Sequence, residues 1–201
     1  QREVHFELED TIANLLADLG LNEEAGRMWS DLARDLELRA PDAHLAEVLV
    51  NRGVSVNLVG RAEEARADFE RALAILDGVG DRTSVLRGWA LYNLGQYHWG
   101  ATAPKEGREE ELFRSAIAVL APHGPSHQLA NAHYGLGRVL ESRSEPEGAK
   151  SAFGAGIAVA EAAPGIARTV AAGGYQQLSR VQTATQDFAG AEESIRRAMA
   201  V

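Results

Sequence analysis

Residues 51–76, with the sequence NRGVSVNLVGRAEEARADFERALAIL, decide the fold. Within this stretch Gly53 is followed twelve residues later by Ala65, and Phe69 and Ala72 come four and seven residues after Ala65. Spacings of three, four and seven residues place apolar side chains on one face of a helix. Two helices approach closely only where small residues meet. The stretch therefore predicts a pair of helices joined by a short turn.

The same pattern recurs along the whole chain as three series of residues. Glycine or serine recurs every 42 residues, at Gly53, Gly95, Gly137 and Ser179. A second series, at intervals of 40, 44, 40 and 42, consists of Ala25, Ala65, Glu109, Ala149 and Ala191. A large residue follows each member of the second series by four positions: Trp29, Phe69, Phe113, Phe153 and Ile195. Regular repetition at this length is typical of stacked helix pairs, so we predict an all-α solenoid of about five helix-turn-helix repeats.

We expect one array over residues 1–201, in which five repeats follow one another without a linker. The approximate bounds of the repeats are 4–38, 42–79, 84–121, 126–163 and 166–201. We expect the glycine of each repeat to face the small residue of the second series, and the large residue to fill the space between repeats. Residues Ala103 to Gly107 predict an exposed loop insertion. We interpret the chain, which starts at Gln1 in a helical pattern, as a piece of a longer protein.

Gly53, Ala65, Phe69 and Ala72 together resemble the anchor residues of the tetratricopeptide repeat. HEAT and armadillo repeats have a comparable period but lack this pattern. The spacing of 40–44 residues exceeds that family's usual period of about 34. It is similar to the extended variant of kinesin light chains, LGN-type polarity adaptors and bacterial peptide-sensing regulators. The third repeat departs from the family pattern because Glu109 replaces the alanine.

The resemblance implies a right-handed superhelical solenoid whose first helices line a concave groove. It also implies a binding module with no catalytic residues and no cofactor. The sequence itself contains no phosphate-binding loop and no nucleophile–base spacing. Four histidines tempt a metal interpretation, but they do not share a helical face and no acidic ligand accompanies them: His98, His123, His127 and His133.

Composition narrows the partners. The net charge of −9 is concentrated in residues 1–50, where 12 acidic residues and 4 arginines give −8, while residues 121–201 contain seven of each sign. This balance argues against nucleic acid as a partner. No apolar run has the length of a membrane span. Arginine greatly outnumbers lysine, which indicates a GC-rich bacterial genome such as that of an actinobacterium, and we expect a cytoplasmic protein without cysteine.

Counting from the repeated glycine projects polar side chains onto the groove. The position two residues earlier holds Asn51, Asn93, Gly135 and Gln177. An asparagine offers both a donor and an acceptor to a peptide backbone. In the extended relatives, asparagine at this place contacts the ligand backbone. We therefore predict that Asn51 and Asn93 bind a peptide, with the alternative that each braces a neighbouring helix.

Aromatic and glutamine side chains project onto the same surface. The predicted peptide-binding aromatic residues are Trp89, Tyr92, Trp99 and Tyr134. Tryptophan and tyrosine are favoured anchors in binding pockets. The alternative for each is the core between repeats. Gln96 and Gln176 complete this part of the predicted site.

Arg138 and Arg180 stand 42 residues apart and form a predicted anion-binding pair. Their guanidinium groups suit bidentate contact with carboxylates. The alternative is an intramolecular pair, for example with Glu141. The carboxylate clamp of chaperone-binding relatives is excluded, because Val50 and Val54 stand at two of its groove positions.

We expect the chain to be the sensor or adaptor part of a larger bacterial regulatory or signalling protein, with a protein or peptide ligand in its groove. Two alternatives remain. The apolar face formed by Ile195, Ala198 and Met199 favours self-association through the ends of the solenoid, as a homodimer or larger scaffold. An accessory domain of an enzyme encoded outside these residues is the other.

Overall fold

The computed structural model describes residues 2–100, 107–163 and 168–200, with the side chains of residues 2–5 outside the description. The described residues form α-helices and contain no strand, which confirms the all-α prediction. The helices are α1 (Arg2–Asp18), α2 (Asn22–Leu36), α3 (Ala43–Leu58), α4 (Ala62–Gly78), α5 (Val85–Gly100), α6 (Arg108–Leu120), α7 (His127–Ser142), α8 (Pro146–Ala162), α9 (Arg168–Ala184) and α10 (Phe188–Ala200). Residues 103–106 of the predicted loop insertion lie outside the described residues, as does the expected start of the fifth repeat near Gly165.

Polar caps start two of the first helices. The Asp42 side chain accepts a hydrogen bond from the backbone N–H of Leu45 at 3.0 Å, and Ser126 accepts one from Leu129 at 3.2 Å. These contacts satisfy N–H groups that a helix N-terminus leaves without partners. The predicted start of the second repeat at Asp42 is confirmed.

The turn between paired helices uses a left-handed backbone at one recurring position. Gly20 and Gly60 occupy it with φ of 77° and 86°, and Ser144 and Gln186 occupy it with φ of 60° and 61°. Glycine adopts this conformation without a steric penalty, whereas a side chain there meets its own backbone. The turns of the fourth and fifth repeats therefore contain local strain that the first two avoid.

The chain divides into two compact units. The first, Gln1–Tyr97, contains α1 to α4 and most of α5. Here α2 packs against α1 and α3, and α3 packs against α4. Large side chains fill the core between these helices and are at most 2% exposed: Trp29, Leu32, Leu49, Phe69 and Leu76.

The second unit, His98–Val201, repeats the arrangement with α6 to α10. Each helix in this series packs against the next one along the chain. The fully buried side chains at its centre include Phe113, Val139, Phe153 and Val181. Both units thus consist of antiparallel helix pairs, while the continuity of a single array over 1–201 stays a prediction.

The repeated glycines admit an aromatic ring. A Cβ atom placed on Gly53 would lie 2.6 Å from Cε1 of Phe69, and one on Gly137 would lie 2.6 Å from Cε1 of Phe153. The expectation that these glycines face the alanines, and the large residues the next repeat, is therefore wrong for both pairs. The ring needs the greater depth, because a side chain at the glycine would occupy its place. Phe113 does reach the following repeat, where it contacts Gly135.

Glu109 replaces the repeated alanine with a buried carboxylate. Its side chain is 8% exposed and its Oε1 accepts a hydrogen bond from Nη2 of Arg143 at 3.0 Å. Arg143 also pairs with Glu110. The hydrogen bond to Glu109 raises the pKa of Arg143. The third repeat therefore tolerates the substitution through an ion pair with the following helix pair.

Candidate functional site

Four predicted site residues interact on α5. The rings of Trp89 and Tyr92 stack with centroids 5.0 Å apart and an interplanar angle of 8°. Nε2 of Gln96 donates a hydrogen bond to the Tyr92 hydroxyl at 2.6 Å, and Nδ2 of Asn93 donates to the Trp89 carbonyl at 2.8 Å. Tyr92 is 9% exposed and contributes to the core. The aromatic pair is thus ordered by its own helix.

Asn51 lies on α3 in the first unit and is half-buried. Its amide makes no hydrogen bond to another described residue. The adjacent Arg52 turns to the second helix of its repeat, where its Nε donates to Oδ2 of Asp68 at 2.7 Å. Asn51 and Asn93 therefore differ, since one donates to its own helix and the other retains its hydrogen-bonding capacity.

The second unit contains a cavity of about 440 Å³ between its first helices. Three predicted site residues line it, namely Trp99 at the end of α5, Arg138 on α7 and Arg180 on α9. The remaining lining residues are Glu141, Ser142 and Gln177. The structure thus brings together an aromatic ring, two guanidinium groups, a carboxylate and an amide.

Arg180 and Glu141 form an ion pair at this cavity. Nε and Nη2 of Arg180 lie 2.9 Å and 2.5 Å from the two carboxylate oxygens of Glu141. This hydrogen bonding raises the pKa of Arg180. The Arg180 side chain is 58% exposed, so water weakens the pair. The intramolecular pairing that the sequence left open is therefore present for Arg180, and its role toward an external anion stays a prediction.

The amide of Gln177 presents a buried acceptor. Its Oε1 has no hydrogen-bond partner among the described residues. A buried acceptor without a donor costs about 1–3 kcal/mol of desolvation. Such an atom at a cavity wall is a place where a ligand N–H would be stabilising.

Tyr134 lies in the core of the second unit. It packs against Gly156 of α8 and Gly174 of α9, beside the buried Ala130 and Ala160. Burial raises the pKa of the Tyr134 phenol, and the hydroxyl has no partner among the described residues. This is the inter-repeat packing that the sequence left as the alternative. Contact between Tyr134 and a ligand stays a prediction.

Gln176 and its neighbour Gln177 take different positions on α9. Gln176 is exposed and does not belong to the described lining of the cavity. Gln177 lines it, although sequence reasoning projected Gln177 onto the groove without selecting it. The signal was available, because Gln177 continues the 42-residue series that begins with Asn51 and Asn93.

Two further findings concern the described residues as a whole. They contain no cluster of three or more histidine, cysteine, aspartate or glutamate side chains arranged to hold a metal ion. None of their helices combines the length and the apolar character that crossing a membrane requires.

Comparison with known proteins agrees with the helix pairs and the repeated residues. Residues 44–106 match the family model described as tetratricopeptide repeat. The chain is a tetratricopeptide-repeat protein. Repeats of this family generally mediate protein–protein interaction and are generally non-catalytic. No curated protein sequence matches the chain.

Solved structures share the fold of this tetratricopeptide-repeat protein at low sequence identity. BtubC (BKLC) from P. vanneervenii is 22% identical with a TM-score of 0.81, over 96% of this chain and 78% of that one. A Podosopora anserina putative kinesin light chain with nearly identical TPR-like repeats is 14% identical with a TM-score of 0.73, over 98% and 94%. Rap protein complexed with Competence and Sporulation Factor is 13% identical with a TM-score of 0.75, over 97% and 53%.

Proposed function

We propose that this protein binds an extended peptide, or an extended segment of a partner protein, along the first helices of its repeats. It acts without catalysis, as the sensor or adaptor part of a larger bacterial regulatory or signalling protein in the cytoplasm. Asn51, Asn93 and Gln177 hold the peptide backbone, since they occupy one repeated position on three first helices. The Rap structure supports a ligand-binding role, because that protein was solved with Competence and Sporulation Factor.

The buried Oε1 of Gln177 is the observation that carries the proposal. The acceptor faces a cavity of about 440 Å³, in the range typical of small-ligand and peptide pockets. A backbone N–H of a bound peptide supplies the missing donor. Trp99 in the same wall supplies an apolar surface for a side chain.

Charge selects the side chain that enters this cavity. Two arginines and one glutamate line it, so the wall has an excess of one positive charge. Arginine binds carboxylates through two parallel hydrogen bonds. An aspartate or glutamate of the peptide, placed beside an apolar residue, complements Arg138 and Trp99.

Selection from a random peptide library displayed on phage, followed by calorimetry on the enriched peptide, tests the proposal. Gln177→Leu is the informative variant, because it removes the acceptor while keeping a similar volume. We expect the peptide affinity to fall about tenfold, the effect of one lost hydrogen bond in a dry site, while the melting temperature stays level or rises. Asn51→Ala combined with Asn93→Ala should weaken binding further.

Asn22→Ala and Arg114→Gln serve as matched controls, since these side chains lie on second helices. Both controls should bind like the wild type. Unchanged affinity in the Gln177 and asparagine variants would overturn the proposed surface. A library that yields no specific peptide under conditions where the chain is folded would overturn peptide binding itself.

A further inference from the structure

Helix α1 presents an apolar stripe on its outer face. Leu8, Ile12, Leu15 and Leu19 follow one another at spacings of four, three and four residues. Their exposed fractions are 56%, 45%, 56% and 75%. These spacings place all four side chains on one narrow face of the helix. The face therefore forms a continuous apolar surface in contact with water.

The opposite face of α1 already packs against the first unit. Phe6 and Ala13 are buried, and Asp10 accepts a hydrogen bond from Nε1 of Trp29 at 2.9 Å. Phe6, Asp10 and Ala13 each stand two residues before a member of the stripe, a rotation of about 200° around the helix. The stripe is thus a second apolar face, separate from the one that the core uses.

In later repeats the positions of the stripe are buried. A shift of 40 residues superimposes the end of α1 at Asp18 on the end of α3 at Leu58. The shift places Leu15 at the position of Ser55, which is 1% exposed, and Leu8 at that of Val48, which is fully buried. The position of Leu15 recurs in the second unit as two residues that are at most 2% exposed: Val139 and Val181.

The preceding helix pair covers these positions. A Cβ atom on Gly26 of α2 would lie 4.0 Å from Cβ of Ser55. In the second unit, Gly174 of α9, which stands at the position of Leu8, faces Ile157 of α8, with the added Cβ 2.7 Å from Cγ1. The stripe is therefore the surface that receives the second helix of a preceding repeat.

Helix α10 has the complementary surface. Ile195 and Met199 are 49% and 84% exposed. They stand 42 residues after Phe153 and Ile157, which are 0% and 5% exposed because the next first helix packs on that side of α8. The exposed side of α10 is thus the surface that a following first helix covers.

We propose that α10 of one copy of this protein docks on the apolar stripe of α1 of a second copy, head to tail. The contact reproduces between copies the packing of α8 on α9 within one chain. Charge favours this pairing over contact between two α1 helices, because residues 1–50 have a net charge of −8 and residues 121–201 have none. A head-to-tail contact leaves one surface open on each copy, so association continues beyond two copies at high concentration.

Sedimentation velocity of the whole chain over a range of concentrations, from about 5 to about 300 µM, tests the proposal by mass action. We expect the mean mass to rise with concentration from 21.6 kDa to more than twice that value. Leu15→Glu blocks the α1 stripe and Met199→Glu blocks the α10 surface. Each variant alone should remain monomeric, with a circular dichroism spectrum like that of the wild type.

Mixing the two blocked variants decides the geometry. Each retains the surface that the other has lost, so an equimolar mixture should form a complex of two chains that grows no further. Leu38→Glu, an exposed leucine on neither surface, should associate like the wild type. Ile195→Glu provides a second block at the α10 surface.

Three outcomes would overturn the proposal. The first is a wild-type chain that stays monomeric at every concentration. The second is association that Leu15→Glu abolishes while Met199→Glu and Ile195→Glu leave it intact, which indicates contact between two α1 helices. The third is a mixture of blocked variants that stays monomeric. Peptide affinity measured on the monomeric variants reports on the proposed function separately, because neither surface contributes to the cavity.

Discussion

Nε of Arg180 lies 2.9 Å from Oε1 of Glu141, so an arginine expected to bind a ligand already holds a carboxylate of the neighbouring first helix. The pair joins α7 to α9 at the wall of the cavity that Trp99 and Gln177 also line. An acidic ligand must therefore replace Glu141 at Arg180 or bind beside the pair. The ion pair thus adjusts how strongly the cavity attracts anions.

Neutralising Glu141 should strengthen the binding of an acidic peptide. Glu141→Gln preserves the shape of the side chain but releases the Arg180 guanidinium for an external carboxylate. We expect the affinity to increase about fivefold to tenfold at low salt and less at high salt, because exposed charges are screened. Calorimetry on the selected peptide measures the change. Glu147→Gln, at an exposed glutamate paired with Lys150 on α8, should have no effect, and a loss of affinity in Glu141→Gln would contradict the interpretation.

Alanine at the repeated glycines should destabilise the fold. Gly53→Ala and Gly137→Ala each place a methyl group against the ring of Phe69 or Phe153. Overpacking of this kind costs about 1–3 kcal/mol. Urea unfolding followed by circular dichroism measures the loss.

Gly154→Ala is the matched control for these variants. Gly154 also lies within a helix, α8, but no atom lies within 4 Å of the position of its added Cβ. Alanine favours a helix over glycine by about 0.5–1 kcal/mol, so this variant should be more stable than the wild type. Equal losses at Gly137 and Gly154 would show that helix propensity, and not the ring, decides.

Glycine at the strained turn positions should stabilise the second unit. Gln186 has φ of 61°, and Gln186→Gly removes the clash of its side chain with the backbone. We expect a gain of about 0.5–1 kcal/mol in the free energy of unfolding after the added freedom of the unfolded chain is subtracted. Gly60→Ala provides the reverse test, since its surroundings are open and only the backbone conformation opposes the change. It should lose about 1 kcal/mol.

The buried pair of Glu109 and Arg143 should respond unequally to the loss of either partner. Arg143→Met leaves the Glu109 carboxylate buried without its donor, which costs about 1–3 kcal/mol. Glu109→Ala restores the residue typical of the repeat and removes the carboxylate, so it should be nearly neutral or stabilising. Thermal unfolding of both variants measures the difference. A larger loss in Glu109→Ala would mean that the carboxylate is a net source of stability.

Acid should weaken the second unit through His133. Burial lowers the pKa of His133 below its value in an unfolded chain, which is about 6.5. The unfolded state therefore binds the proton first, and stability falls as the pH drops from about 6.5 toward the lowered pKa of the folded state. Melting temperatures at neutral and mildly acidic pH should fall less in His133→Gln than in the wild type. Parallel melting curves for the two proteins would exclude His133 as the source, and His127, whose pKa burial also lowers, would then be the variant to compare.

The spacing of glycine, alanine and aromatic residues determined the helix pairs, because helical periodicity and close crossing are local requirements that a few residues meet. The left-handed turn at Gly60 followed from the sequence for the same reason. At Ser144 and Gln186 the same turn forms without glycine, since the packed helices on either side impose the backbone conformation.

Only the tertiary structure decided which side chains meet. The Phe69 ring covers Gly53, Glu109 finds Arg143 some 34 residues away, and Arg180 finds Glu141, because each contact depends on how one helix packs on another. The sequence placed polar groups on the correct helices, but a difference of one residue, as between Gln176 and Gln177, rotates a side chain by about 100° and separates solvent from cavity. Periodicity therefore determined the repeats, and packing determined the site.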